Sequence, residues 1–251
     1  MISVTILTRN SAKYLHEVLT STQHFDEVVL YDSGSNDATF EIAKQFPNVV
    51  VYKGEFIGFG PTHNVASNLA KHDWILSIDS DEVVTPKMAQ EIKALQLDAQ
   101  CVYSFPRDNY YNGTHIRWCG WCPDRQYRLY NRTKTRFTDA QVHEAVIIKN
   151  MQHLPLNGAI IHYSYASLSD FLGKMQTYSE LFAKQNQGKK KSSPTKAVLH
   201  GWFAFFKSYI LKKGILGGYE GFVISAYNGH TAFYKYLKLY EANQRLSNKR
   251  R

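Results

Sequence analysis

The stretch WILSIDSDEVV, residues 74–84, places Asp79, Asp81 and Glu82 within four positions at the end of an apolar run. Its first half has the composition of a buried strand. Its second half gathers negative charge that repels itself unless a cation or a hydrogen-bond donor intervenes. A buried strand that stops at a carboxylate cluster is what an open α/β sheet presents at its ligand-binding edge.

The same arrangement recurs outward from this stretch. VTILT runs into TRNS, EVVLYD runs into SGSND, and VVVYKG reads as a further strand. Between them KYLHEVLTST, TFEIAKQF and THNVASNLAKH read as helices. Strands alternating with helices of about ten residues predict βαβ units and a mostly parallel sheet flanked by helices. Right-handed crossovers bring the strand C-termini to one edge, so TRNS, DSGSND and DSDE are expected to converge there. A helix is expected near PKMAQEIKALQ. Short β-like runs follow over 101–163 (CVYSFPR, YNGTHIRW, RQYRLYN, AVIIK, AIIHYSY), and helices return beyond 167, broken by the loop NQGKKKSSP at 186–194.

Composition narrows the class. A chain of 251 residues with 44% hydrophobic content is globular rather than disordered. MISVTILTRN has no basic leader and reads as a strand, and no uncharged apolar run reaches membrane-spanning length, so a cytoplasmic location is expected. The net charge of +9 is unevenly spread: residues 1–100 carry −6, residues 101–183 carry +3, and residues 184–251 carry +12. A basic, aromatic tail suits nucleic acid, an anionic membrane or a phosphorylated substrate. The acidic first hundred residues and the absence of a reading motif count against nucleic acid. Cys101, Cys119 and Cys122 are an odd number, and Cys119-Gly-Trp-Cys122 supplies at most half a zinc site, so they read as incidental thiols.

Asp79-Ser80-Asp81 is a D-x-D at a strand end. Two such carboxylates hold Mg²⁺ or Mn²⁺ through one or two oxygens and leave positions for phosphate oxygens. The competing role is as helix N-terminal charges, since Glu82 and Pro86 precede a helical segment. Asp32, in DSGSND, is suited to accept hydrogen bonds from a nucleoside, and Gly34 permits close backbone approach.

In this order, T-R-N at 8–10, D-S-G-S-N-D-A-T at 32–39, H-N-V-A at 63–66 and W-I-L-S-I-D-S-D-E at 74–82 resemble the inverting glycosyltransferases of family 2, which have the GT-A fold and use a nucleotide-sugar donor. GWCPDRQYRLYNR, VHE at 142–144, HYSY at 162–165 and the segment GILGGYEGFVISAYNGHTAFYKYLKLYE are similar to the lipopolysaccharide-core glucosyltransferases of that family. The resemblance implies a GT-A catalytic domain over 1–165, with a nucleotide-sugar half at 1–100 and an acceptor-side half at 101–165, followed by a basic aromatic helical region at 166–251. It implies transfer of a hexose, glucose foremost, from a UDP-sugar to an inner-core heptose of a lipid-linked saccharide, at the cytoplasmic face of an anionic membrane. A sugar-phosphate nucleotidyltransferase is the alternative enzyme, although TRNSAKYL lacks a Gly-rich triphosphate loop.

Carried over by position, Thr8, Asn10 and Asp32 face the uridine, Asp79 and Asp81 hold the metal and donor diphosphate, and His63 and Asn64 lie near the donor. Ser11 stands where the family often has an acidic residue, which puts that donor contact in doubt. Glu144 occupies the family's acidic position and is the expected general base. Its competing roles are a salt bridge to Arg125, Arg128, Arg132 or Arg136, with Glu82 as the alternative base. His162 resembles the histidine that completes the metal site; a core histidine is its other reading. Trp118 and Trp121, with Arg125 and Arg128, offer aromatic faces and cationic forks to an acceptor saccharide, or else serve the core. Trp202, Phe203, Phe205 and Phe206 interleave with Lys207, Lys212 and Lys213, which suits a membrane interface or packing against the sheet.

Overall fold

Burial follows the strand composition. In the computed structural model, which describes residues 1–141 and 143–248, β1 (Ser3–Thr8) and β2 (Glu27–Asp32) are buried almost throughout. Val142 of the V-H-E triplet and the Lys-Arg-Arg terminus at 249–251 lie outside the described residues. β3 (Val49–Lys53), β2, β1 and β4 (Trp74–Asp79) lie side by side in that order and are all parallel. Register does much of the functional placement. Thr8 sits opposite Asp32, Asp32 opposite Lys53, and Leu7 opposite Asp79, so the polar residues share one edge.

The connecting helices are α1 (Ala12–Thr22), α2 (Thr39–Ala43) and α3 (Phe59–Leu69). On α1, Leu15, Val18, Leu19 and Thr22 are buried at helical spacing, the pattern of one apolar face. The segment TFEIAKQF yields only the five residues of α2.

The later strands depart from the parallel expectation. β5 (Glu82–Val84) follows the D-x-D directly, and α4 (Pro86–Ala94) starts only after it, capped by the Thr85 hydroxyl on the Met88 N–H. β6 (Cys101–Tyr111), β7 (Thr114–His115), β8 (Arg125–Asn131), β9 (Gln152–Pro155) and β10 (Ile160–Tyr165) complete the strands. β8 runs antiparallel between β4 and β6, so the sheet is mixed; β6 and β8 are joined without a helical crossover. AVIIK forms only an isolated bridge, Val146 to Phe137. β10 pairs antiparallel with β5, setting His162 opposite Glu82.

The chain divides into two units. The first comprises Met1–Asp108 and Asp124–His162, with Val29, Tyr31, Ile75, Val102, Tyr130 and Phe137 in one of its core clusters. The second comprises Asn109–Pro123 and the chain from Tyr163 onward. Beside the boundary expected after residue 165, this division falls after residue 162 and groups 109–123 with the C-terminal helices. Ile116 and Cys119 are buried with Phe171, Val223 and Ile224, and the Cys119 N–H donates to the Lys212 carbonyl. That unit contains α5 (Leu168–Asn186), opened by a Ser167–Asp170 capping box, then α6 (Pro194–Phe206) and the long α7 (Gly218–Asn248). A π-helical turn (Lys207–Leu211) and a 3-10 turn (Gly214–Gly217) link α6 to α7.

Gly60, near the start of α3, donates its N–H to the Ala140 carbonyl, and a Cβ there would lie 1.9 Å from the Thr138 carbonyl oxygen. Gly60→Ala is therefore expected to destabilise the first unit by about 1–3 kcal/mol, seen as a lower urea midpoint. An unchanged midpoint would show that the 138–141 segment yields freely.

Candidate active site

Asp32 ends β2 and organises the first turn of the edge. Its carboxylate accepts from the Gly34 and Ser35 N–H groups at 2.9 Å, from the Ser35 hydroxyl and from the Thr8 hydroxyl at 3.2 Å. Burial alone would raise this carboxyl, but the Ser35, Gly34 and Thr8 hydrogen bonds prevail and hold it below the ordinary aspartate range. Asn10 adopts a left-handed backbone, φ 54°, and its side-chain oxygen accepts from the Asn36 N–H at 2.8 Å. Ser11 donates to the Ser80 hydroxyl at 2.9 Å, joining the first turn to the D-x-D. Asp37 accepts from the Ala12 N–H, which places a carboxylate at the start of α1. Beside these residues lies an open cleft of about 560 Å³, whose lining includes Arg9, Asp32, Gly34, Phe40, Lys53 and Phe56.

The D-x-D splits into two differently engaged carboxylates. Asp79 is gripped by the Arg128 guanidinium at 3.2 and 3.5 Å, which departs from the expectation of a carboxylate given over to metal. Burial works to raise its pKa, yet Arg128, with His63 and His162, drives it well below the carboxylate range. Asp81 instead faces His162, Oδ2 to Nε2 at 3.7 Å. An oxygen and an imidazole nitrogen at that spacing suit two ligands of one Mg²⁺ or Mn²⁺ ion, with remaining positions left for phosphate oxygens. Among the described residues no three His, Cys, Asp or Glu side chains gather on one point, and Asp79 is paired with Arg128.

Glu82 is almost fully buried, accepting from the Asp79 N–H at 2.9 Å and from Arg107 at 3.2 Å. Burial and the neighbouring Asp79 raise its pKa. It fixes the turn rather than facing a substrate. Glu144 lies 3.9 Å from Arg128 and retains 14% side-chain exposure; burial raises its carboxyl, opposed by its own backbone N–H and by Arg128. His63 is buried, with Nδ1 at 3.1 Å from the Ser77 hydroxyl and its ring stacked on Phe137. Its Nε2 has no hydrogen-bond partner. Asn64 clamps Phe137 by a reciprocal pair of hydrogen bonds, at 3.0 and 2.9 Å.

Residues 3–154 match the sequence profile described as glycosyl transferase family 2. The chain belongs to glycosyltransferase family 2. Over 96% of this family 2 chain, and 86% of the relative, it is 30% identical to an uncharacterized glycosyltransferase of Rickettsia bellii. It is 23% identical to the lipopolysaccharide core biosynthesis glycosyltransferase LpsC of Rhizobium meliloti, over 96% of this chain and 92% of LpsC. Among solved structures it resembles the mannosyltransferase PcManGT of Pyrobaculum calidifontis in complex with GDP-Man and Mn²⁺, with TM-score 0.53, 14% identity, and 95% and 86% of the two chains covered. The fold is GT-A, and the protein is a glycosyltransferase, an enzyme that transfers a sugar. Of the two enzyme classes open from sequence, nucleotidyl transfer is thereby set aside.

The four residues expected to meet an acceptor are engaged within the family 2 chain itself. Arg128 is bound to Asp79, and Arg125 donates to the Ser104 and Leu156 carbonyls at 2.9 and 3.0 Å. Trp118 and Trp121 belong to the second unit, where Gly217 lies against the Trp118 ring and Trp121 stacks on Tyr165. Sequence reasoning missed Arg107, which bridges Glu82 and Asp124, and the cleft-lining Arg9 and Lys53. The last two were discoverable, since Arg9 directly follows β1 and Lys53 ends β3, and the strand C-termini were expected at the ligand edge.

Burial of His63 pushes its pKa down to about 4, with Asp79 opposing and Arg128 reinforcing the shift. Folding therefore favours its neutral form, and this stabilisation is full above the unfolded value of about 6.5. As pH falls from there toward 4, on the order of 3 kcal/mol of stability is expected to vanish. Urea midpoints across that window should decline in the wild type and decline less in His63→Gln. Equal slopes would place the acid sensitivity elsewhere.

Proposed function

We propose that this enzyme transfers a hexose, glucose in the first instance, from a UDP-sugar to a heptose of a lipopolysaccharide inner core, with inversion at the anomeric carbon. The observation that carries the reading is the single strand-end edge on which the Asp32 cleft and the Asp81–His162 pair both lie. Likeness to LpsC along nearly the whole chain supports a core saccharide as acceptor. A lipid-linked acceptor puts the reaction at the cytoplasmic face of an anionic membrane, with the chain in peripheral contact. No helix among the described residues is long and apolar enough to cross a bilayer.

In this reading Thr8, Asn10 and Asp32 form the wall that receives the uridine, Phe40 and Phe56 give the base apolar faces, and Arg9 and Lys53 meet donor phosphate charge. His63 and Asn64 support the donor site from beneath, through the Ser77 and Phe137 contacts. Asp81 and His162 would hold a divalent Mg²⁺ or Mn²⁺ ion, with Asp79 contributing charge through its Arg128 pair. That ion supplies charge neutralisation for a diphosphate leaving group. The acceptor hydroxyl oxygen forms the new bond to the anomeric carbon as the bond to the UDP phosphate oxygen breaks. Glu144 takes the hydroxyl proton. Its raised proton affinity suits it to that role near neutral pH.

Incubation with Mn²⁺, UDP-glucose and a heptose-containing core acceptor is expected to yield a glucosylated core of inverted configuration. Absence of both transfer and UDP-glucose binding would remove the proposal. Glu144→Gln is expected to lower kcat by about 10²–10⁴-fold while leaving UDP-glucose affinity within a factor of about three. The acid limb of the wild-type rate profile should lie above the ordinary glutamate value, since activity is lost as Glu144 gains a proton. Asp81→Asn should weaken Mn²⁺ binding, read by calorimetry, and lower turnover with it.

A further inference from the structure

The second unit exposes apolar side chains where its helix pair has no room for them. α6 and α7 cross through glycine: a Cβ on Gly201 would lie 2.9 Å from the Phe233 Cβ, and one on Gly229 would lie 3.1 Å from the Gly201 carbonyl oxygen. So close a seam leaves little interior for large residues, and Trp202, Phe203 and Phe206 of α6 are turned outward. Val198, Trp202 and Phe206 recur every four residues on one face, and Trp202 is 65% exposed. Leu199 and Phe203 widen that stripe, both more than half exposed. It continues past the end of α6 through Leu211, Ile215 and Leu216 to Tyr219 and Phe222, with Leu216 again 65% exposed. Trp202, Phe205, Phe222 and Phe233 line an apolar groove of about 610 Å³ between the two helices. Exposed apolar surface of this extent marks an interaction site.

Charge identifies the partner. Residues 188–219 contain seven lysines and no acidic residue, and Lys207, Lys212 and Lys213 are exposed among the apolar side chains. Two copies of such a surface repel each other, whereas an anionic lipid interface attracts it. Aromatic rings beside lysines match the composition of the bilayer boundary, where rings sit at headgroup depth and ammonium groups reach the phosphates. The 13 residues of α6 extend about 20 Å, short of a hydrocarbon core of about 30 Å, so the helix suits a position in the plane of the interface.

We propose that α6, the turns that follow it and the first turns of α7 embed in the plane of an anionic lipid interface, with Trp202, Phe206, Leu211 and Leu216 in the acyl boundary and Lys207, Lys212 and Lys213 at the headgroups. This deepens the peripheral contact proposed above and assigns it to specific residues. It stands on the second unit alone, so it survives or fails independently of the donor and acceptor assignments.

The test uses the full chain with vesicles of phosphatidylcholine plus phosphatidylglycerol, compared with phosphatidylcholine alone. The protein is expected to co-sediment with the anionic vesicles, and brominated acyl chains should quench part of its tryptophan fluorescence. Most of that quenching should be lost in Trp202→Phe, although three other tryptophans remain, Trp118 beside Gly217 among them. Leu211→Asp combined with Leu216→Asp should weaken vesicle binding at least tenfold, with circular dichroism and UDP-glucose affinity unchanged. Lys212→Ala with Lys213→Ala should weaken it about tenfold or more, on anionic vesicles only. Failure of the wild type to sediment overturns the proposal. So does quenching that is undiminished in Trp202→Phe, or a paired aspartate variant that alters self-association while vesicle binding stays intact. Vesicle binding by a protein that binds no UDP-glucose supports the docking surface while counting against the donor assignment.

Discussion

The edge of the first unit depends on one ion pair, Arg128 with Asp79. Asp79, Glu82 and Glu144 lie around the same guanidinium, each altering or altered by its charge. Without Arg128 these carboxylates would face one another in a half-buried space, and the turn after β4 could not keep its shape. The pair fits the topology: β8 runs antiparallel to β4 with Leu129 opposite Leu76, which brings Arg128 near the level of Asp79. Phe137 extends the constraint, since its ring lies under the Arg128 guanidinium at 5.7 Å and against His63 at 4.5 Å. Mutual repulsion in WILSIDSDEVV is thus answered first by the protein's own cation.

That answer explains what could and could not be read from the chain. The four parallel strands were legible because their signal is local: apolar runs ending in polar clusters, separated by helical periodicity. Register then carried Thr8, Asp32 and Asp79 to one edge, as their strand-end positions implied. The partner of Asp79 was not legible, because 49 residues separate it from Arg128 and nothing local to RQYRLYN distinguishes an inward guanidinium from a solvent-facing one. Glu82 misled for a similar reason. Ahead of Pro86 it resembles a helix N-terminal charge, yet it lies on β5, buried against the Asp79 N–H and Arg107. The segment 109–123 was assigned by sequence proximity, whereas its apolar residues bury themselves among helices that come much later.

His63 and Asn64 show how a supporting layer is built under such an edge. Asn64 hydrogen-bonds both polar groups of the Phe137 backbone, fixing the ring that underlies Arg128. His63 donates or accepts at Ser77 on β4, two residues before Asp79, while its other nitrogen remains buried without a partner. An orphaned imidazole nitrogen is costly in a packed interior. It persists because the ring is held on both sides, by Ser77 and by Phe137, and because a protonated ring would sit near Arg128.

The charges around the edge also do not balance internally. Asp79, Asp81, Glu82, Asp124 and Glu144 are five carboxyl groups, against two buried or half-buried guanidinium groups, Arg107 and Arg128. Burial first, and the neighbouring Asp79 charge second, raise the proton affinity of Glu82 and Glu144, the two acids here whose pKa values rise. A nucleotide diphosphate adds further negative charge and would be repelled unless positive charge arrived with it. Arg9 and Lys53 at the cleft and the proposed cation at Asp81 and His162 lie where that charge is needed. Added positive charge also favours the ionised form of Glu144, the form that accepts a proton. In the proposed reading, donor binding and the readiness of Glu144 to act as base are then coupled through one electrostatic account, with Arg128 at its centre.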